Sequence, residues 1–145
     1  MTRALALLFV LAAGPALADG GAAAALQLMN PWIRSVIPAR PAAAYFTLKN
    51  LGGQDVTLTG ASSPGCGAMM LHRTVRANGV EKMLPVDHVA VPAHQALSFA
   101  PGGYHVMCMM PAKAVHPGGT VPVSLLFADG SKLTAPFPVK NAMGK

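Results

Sequence analysis

The sequence predicts an all-β domain, a sandwich or a small barrel, and three observations carry that prediction. Short runs of β-type residues return about every ten positions. Turn signals separate nearly every pair of runs. Gly and Pro, 15 and 13 of 145 residues, recur too often for long helices beyond the first stretch of the chain. Many short, evenly spaced strands joined by tight turns are the pattern of antiparallel sandwiches and barrels.

The expected strands follow in order. The first is 26–34, and the second, 44–49, ends a nearly continuous apolar run from Ala42, as a buried strand should. Asn50-Leu51-Gly52-Gly53 turns the chain into 56–61, and Ser63-Pro64-Gly65 into 68–75. Asn78-Gly79 is the strongest hairpin signal in the sequence and joins 68–75 to 80–85. Short strands at 88–91 and 96–99 lead to Pro101-Gly102-Gly103, which opens 104–110. After Pro117-Gly118-Gly119 comes 121–127, another apolar run expected to be buried, and Asp129-Gly130 turns it into 132–139. Residues 141–145 are expected to fray.

The first 18 residues read as a signal peptide. Arg3 supplies the charge, residues 4–11 the apolar stretch, and Ala16-Leu17-Ala18 the small residues before a cleavage site ahead of Asp19. That stretch is too short to span a bilayer comfortably, and no second apolar run of about 18 residues follows. The expectation is one exported domain over residues 19–145, with no membrane span after cleavage, and a monomer.

Only 11% of residues are charged, with a net charge of +6. The basic residues are scattered, without the interleaved aromatics that a nucleic-acid groove needs, so no nucleic-acid partner is expected. A mildly basic surface could also steer the protein toward an acidic partner.

Four side chains stand apart: His72, Met83, His105 and Met107, spaced His-x10-Met-x21-His-x-Met. Imidazole nitrogen with thioether sulfur is a donor set suited to Cu(I). The chain has nine Met and five His, and chance alone would give this spacing in roughly one such chain in two thousand. If Asn78-Gly79 forms a type I′ turn, partners across the hairpin have numbers summing to 157. Met83 then faces Thr74, which shares a sheet face with His72, so Met83 and His72 are diagonal neighbours. His105 and Met107 are two apart on one strand and point the same way. The turn before them suggests a position near a rim, close to solvent.

The other candidates have plainer readings. Met69, Met70, Met109 and Met110 are expected to fill the core, although Met70 or Met109 could substitute as a ligand. His88, His94 and His116 lie beside turn residues and should be solvated. Cys66 and Cys108 are not a CxxC pair. Both flank segments that must lie side by side if the metal site exists, so a disulfide is preferred over two buried thiols.

At these residues the chain resembles the periplasmic copper chaperone family called PCuAC, whose signature has the same four residues at the same spacing. The similarity extends through Met70-Leu71-His72, Asn78-Gly79-Val80, Met83-Leu84-Pro85-Val86, Val91-Pro92-Ala93 and Pro101-Gly102-Gly103-Tyr104-His105-Val106-Met107. Upstream, Ala44-Tyr45-Phe46-Thr47-Leu48-Lys49-Asn50 resembles the family's early strand, so residues 26–139 are covered. The resemblance implies a cupredoxin-like Greek-key β-sandwich in the periplasm, holding one Cu(I) per chain through His72, Met83, His105 and Met107. It also implies delivery toward the CuA centre of cytochrome c oxidase subunit II, alongside a Sco-type protein. Some relatives carry a His/Met-rich C-terminal extension with a second copper. Here only Met143 stands in the tail.

Other functions fit less well. A blue-copper electron carrier needs a Cys thiolate with a nearby downstream His and Met; Cys108 is followed by His116, but no suitable Met comes after that His before Met143. An enzyme is not expected, since the few acids form no pair and no nucleophile-base arrangement is apparent. A copper-buffering protein and a metal-free interaction module remain as alternatives.

Overall fold

The computed structural model describes residues 15–145. Most of the expected signal peptide therefore lies outside the described residues, including Arg3 and the apolar stretch 4–11. The strands are β1 (Leu17–Ala18), β2 (Leu26–Arg34), β3 (Ala42–Asn50), β4 (Val56–Ser62), β5 (Cys66–Ala77), β6 (Val80–Pro85), β7 (Val89–Val91), β8 (Ala96–Phe99), β9 (Tyr104–Pro111), β10 (Thr120–Phe127) and β11 (Lys132–Lys140). All ten expected strands are present, with ends shifted by at most two residues. The unexpected elements are β1 and one 3-10 turn at Gly21–Ala25.

One layer runs β7-β4-β10-β11, with β1 on the outer side of β11. The other runs β6-β5-β9-β3-β2, with β8 pairing the second half of β3. The end of β11 meets β2 in parallel, at Val139 opposite Ile33 and Lys140 opposite Arg34, and so joins the layers along one side. The remaining ladders are antiparallel.

Alternation places the core. Val121, Val123, Leu125 and Phe127 of β10 point inward with Leu133, Ala135, Phe137 and Val139 of β11. They meet Ile33, Ala44, Phe46, Leu48, Leu71 and Val106 of the facing layer, and Phe137 sits edge-on to Phe46 with ring centres 5.9 Å apart. β10 buries one face only, because Pro122 remains exposed and Ser124 and Leu126 half-buried. β3 is buried on nearly both faces, as its apolar run predicts.

Two long-range expectations are met. Asn78 and Gly79 have φ of 52° and 76°, and the pairs 74–83, 75–82, 76–81 and 77–80 follow the register that a type I′ turn imposes. Cys66 and Cys108 form a disulfide between β5 and β9, the two strands that carry the histidines. That bond removes the free thiolate a blue-copper centre would require.

The Met expectations are met only in part. Met69 packs against the core, but Met70 and Met110 are 45% and 71% exposed, so neither is core filling, and Met109 is half-buried. Met70 and Met109 fall on the strand face away from Leu71, Val106 and Cys108, and alternation turns them outward. His88, His94 and His116 are exposed, as expected.

Candidate metal centre

The site is built on the outer face of the second layer, where β6, β5 and β9 run side by side. Thr74 faces Met83 across the hairpin, His72 lies two residues before Thr74, and His72 faces His105 across the β5–β9 ladder. Met107 is two residues beyond His105. Directly opposed residues point to one side, and so do residues two apart on a strand. The register therefore puts His72, Met83, His105 and Met107 on a single face, with the imidazoles at its centre and one thioether toward each flank. Nothing local in the sequence specifies the β5–β9 register that joins the two halves.

The histidine rings are nearly parallel, 20° apart, with centres separated by 5.8 Å. Nδ1 of His105 lies 3.1 Å from the Gly103 carbonyl oxygen. A carbonyl only accepts, so Nδ1 carries the proton and donates it, leaving Nε2 with a free lone pair. That Nε2 is buried without a hydrogen-bond partner, and so is Nδ1 of His72. Burying one unpaired polar nitrogen costs about 1–3 kcal/mol, so two beside each other mark a place prepared for a missing partner. A metal about 2.0–2.1 Å from each nitrogen would hold the ring centres at most roughly 6.4 Å apart, which the observed spacing satisfies.

The surroundings keep His105 neutral. It is 2% exposed, and its pKa is lowered chiefly by burial. The Gly103 hydrogen bond acts the other way, while the nearby His72 and the Arg34 charge lower it further. Tyr45 of β3 backs the imidazole with ring centres 6.4 Å apart, and its own ring packs on Trp32 at 5.0 Å. Arg34 donates to the Tyr45 hydroxyl at 2.8 Å, and its guanidinium lies over the Tyr45 ring. Burial of His105 departs from the expected solvent-side position. The exposed member of the set is Met83, at 60%, on the edge strand β6.

Gly103, Tyr45, Trp32 and Arg34 were not among the expected site residues. Gly103 has a dual role, since its carbonyl also accepts the Thr74 backbone N–H at 3.0 Å and so ties the turn to β5. Tyr45 could have been found only from the pairing of Ala43 with Met107 and Ala44 with Val106, a contact more than sixty residues apart in sequence. Among the described residues no three His, Cys, Asp or Glu side chains cluster as a metal site would require. The soft donors that share this face with the two imidazoles are the thioethers.

The depressed pKa of His105 has a consequence for the metal-free protein. The unfolded chain binds a proton near pH 6.5 that the folded state resists, so stability rises with pH through that region. It is lost as pH falls from about 6.5 toward the lower folded-state value. Urea unfolding of metal-free protein at pH 7.5 and 5.5 should show lower stability at the acid end, and an unchanged midpoint would contradict a buried neutral His105.

Comparison with known proteins agrees with this architecture. The profile of the LpqE-like family matches residues 26–139. Lxx21020 of Leifsonia xyli subsp. xyli, named as a lipoprotein, is 32% identical over 126 residues, covering 86% of this chain and 75% of that one. RP573 of Rickettsia prowazekii is 29% identical over 125 residues, covering 83% and 69%. Among solved structures, CuI-DR1885 from Deinococcus radiodurans matches with a TM-score of 0.64 at 31% identity, covering 82% of this chain and 78% of that one. The copper-bound PCuAC domain from PmoF2 matches with a TM-score of 0.67 at 20% identity, covering 81% and 93%, a likeness of fold. The cupredoxin-like sandwich is thus shared with copper-bound domains. Among the described residues no helix is long and apolar enough to cross a membrane.

Proposed function

The chain belongs to the LpqE-like family, and on that premise we propose that it is an exported, PCuAC-type copper chaperone that holds one Cu(I) through His72, Met83, His105 and Met107. The observation that carries the reading is the pair of buried, unpartnered nitrogens, His72 Nδ1 and His105 Nε2, on one face with two thioethers. The copper-bound state of the similar DR1885 protein supports the choice of metal.

The chemistry follows from the donors. Thioethers need no deprotonation and form no disulfides, so they keep working in an oxidising compartment where thiols would be lost. The two imidazoles supply basicity, one of them with its tautomer already fixed by Gly103. Copper is cargo here, and no bond of the protein is made or broken beyond ligand exchange. Met83 stands on the exposed edge strand and is the thioether an incoming acceptor ligand reaches first. Buried His105 would release last. Delivery in the periplasm toward the CuA site of cytochrome c oxidase subunit II, alongside a Sco-type protein, completes the proposal.

Anaerobic equilibrium dialysis against Cu(I) tests it. One tightly held copper per chain is expected, unchanged in His88→Ala and His94→Ala, which remove exposed imidazoles outside the four-residue set. Absence of binding would leave a metal-free interaction module.

A further inference from the structure

We propose that Met70, Met107 and Met109 form a second, all-thioether Cu(I) station, onto which copper moves when it leaves the histidines. The inference rests on the four-ligand reading above and extends it along the same strand seam. Met70 faces Met107 directly across the β5–β9 ladder, one step beyond the His72–His105 pair. Met109 follows two residues past Met107, so all three side chains share the face of the imidazoles. Directly opposed residues have Cβ atoms about 4.5–5.5 Å apart, and diagonal ones about 7–8 Å, within the joint reach of flexible methionines.

The neighbours favour movement. Ala68 faces Met109, and Ala43 faces Met107 from the other side, so small side chains flank the thioethers. Packing does not explain these methionines, because the core lies on the opposite face with Leu71, Val106 and Cys108. Met107 belongs to both sets. Copper can therefore pass by exchanging His72, His105 and Met83 for Met70 and Met109 while Met107 stays bound. It remains Cu(I) throughout, with no electron or proton transferred to the metal. Met70 is 45% exposed, which opens this station to an acceptor.

Methyl-13C-methionine NMR tests the station, because each methionine reports separately. With one equivalent of Cu(I) under anaerobic conditions, the Met83 and Met107 methyls of the unaltered protein should shift most. In His72→Ala, Met70 and Met109 should shift together with Met107, while Met83 returns toward its metal-free position. Met29 and Met143, exposed elsewhere on the chain, should stay still in both. The double variant Met70→Leu/Met109→Leu should keep its Cu(I) affinity but release copper to a chelator about tenfold more slowly. If Met70 and Met109 stay silent in His72→Ala while Met83 and Met107 respond in the unaltered protein, the station is overturned and the four-ligand site stands. If Met83 and Met107 are silent in the unaltered protein, the four-ligand site falls, and with it the station that shares Met107. Response of Met29 and Met143 equal to that of Met70 and Met109 would also overturn it, as indiscriminate thioether binding.

Discussion

His105→Ala should weaken Cu(I) binding by roughly 100-fold or more, a larger loss than from any other single substitution in the site. Three features converge on this residue. It is almost fully buried, its Nε2 lone pair has no competing partner, and its ring is held by Gly103 from one side and Tyr45 from another. Such an imidazole loses little freedom on binding metal, so its contribution is realised nearly in full. Met83→Leu should cost less, about tenfold, because an exposed edge-strand thioether has to be ordered before it can bind. Competition with a chromophoric Cu(I) chelator measures both, and urea unfolding of each metal-free variant separates lost binding from lost folding. Equal, small effects in the two variants would remove the distinction between a buried anchor and an exposed exit ligand.

Breaking the Cys66–Cys108 bond should act on stability rather than on copper. The bond closes a sequence separation of 42 residues, and losing such a closure typically costs about 2–4 kcal/mol. In a domain of this size that corresponds to a fall in Tm on the order of 10 °C. The cost in Cys66→Ala/Cys108→Ala should lie toward the upper end, since Cys108 is fully buried and its removal also leaves unfilled volume. Copper affinity should change by less than about tenfold, because the ladder from Ala68 to Arg73 still fixes His72 against His105 without the sulfur bridge. Thermal unfolding with and without reductant, beside chelator competition, tests both halves. A variant of unchanged Tm, or one that loses copper entirely, would contradict this division.

Local chemistry explains why so much of the fold could be read in advance. Asn78-Gly79 set the hairpin register by demanding left-handed backbone at two successive residues, and the Met83–Thr74 pairing followed from that demand. Strand alternation paired His105 with Met107 in the same way. The contact between His72 and His105 was not legible, because it depends on how β5 slides against β9, and no turn of fixed length connects them. The same holds for Tyr45 and Arg34, which reach the site only because β3 lies against the other side of β9. Met70 was misjudged from residue type, since methionine usually fills cores and its parity relative to the core could be assigned only after the layers were known; Met110 shares the parity of Val106 and Cys108, and its exposure goes with a φ of 49° that interrupts strand alternation there. The parallel contact of β11 with β2 also escaped, as two residue pairs at a strand end leave no sequence pattern.

The central claim is that one Cu(I) is held jointly by two imidazoles and two thioethers. X-ray absorption on the protein loaded with one equivalent of Cu(I) tests it most directly. The account predicts two nitrogen neighbours at about 2.0 Å and two sulfur neighbours at about 2.3 Å, with nitrogen giving way to sulfur in His72→Ala. A copper surrounded by nitrogen and oxygen alone, or by the same shell in the His72→Ala protein, would contradict it.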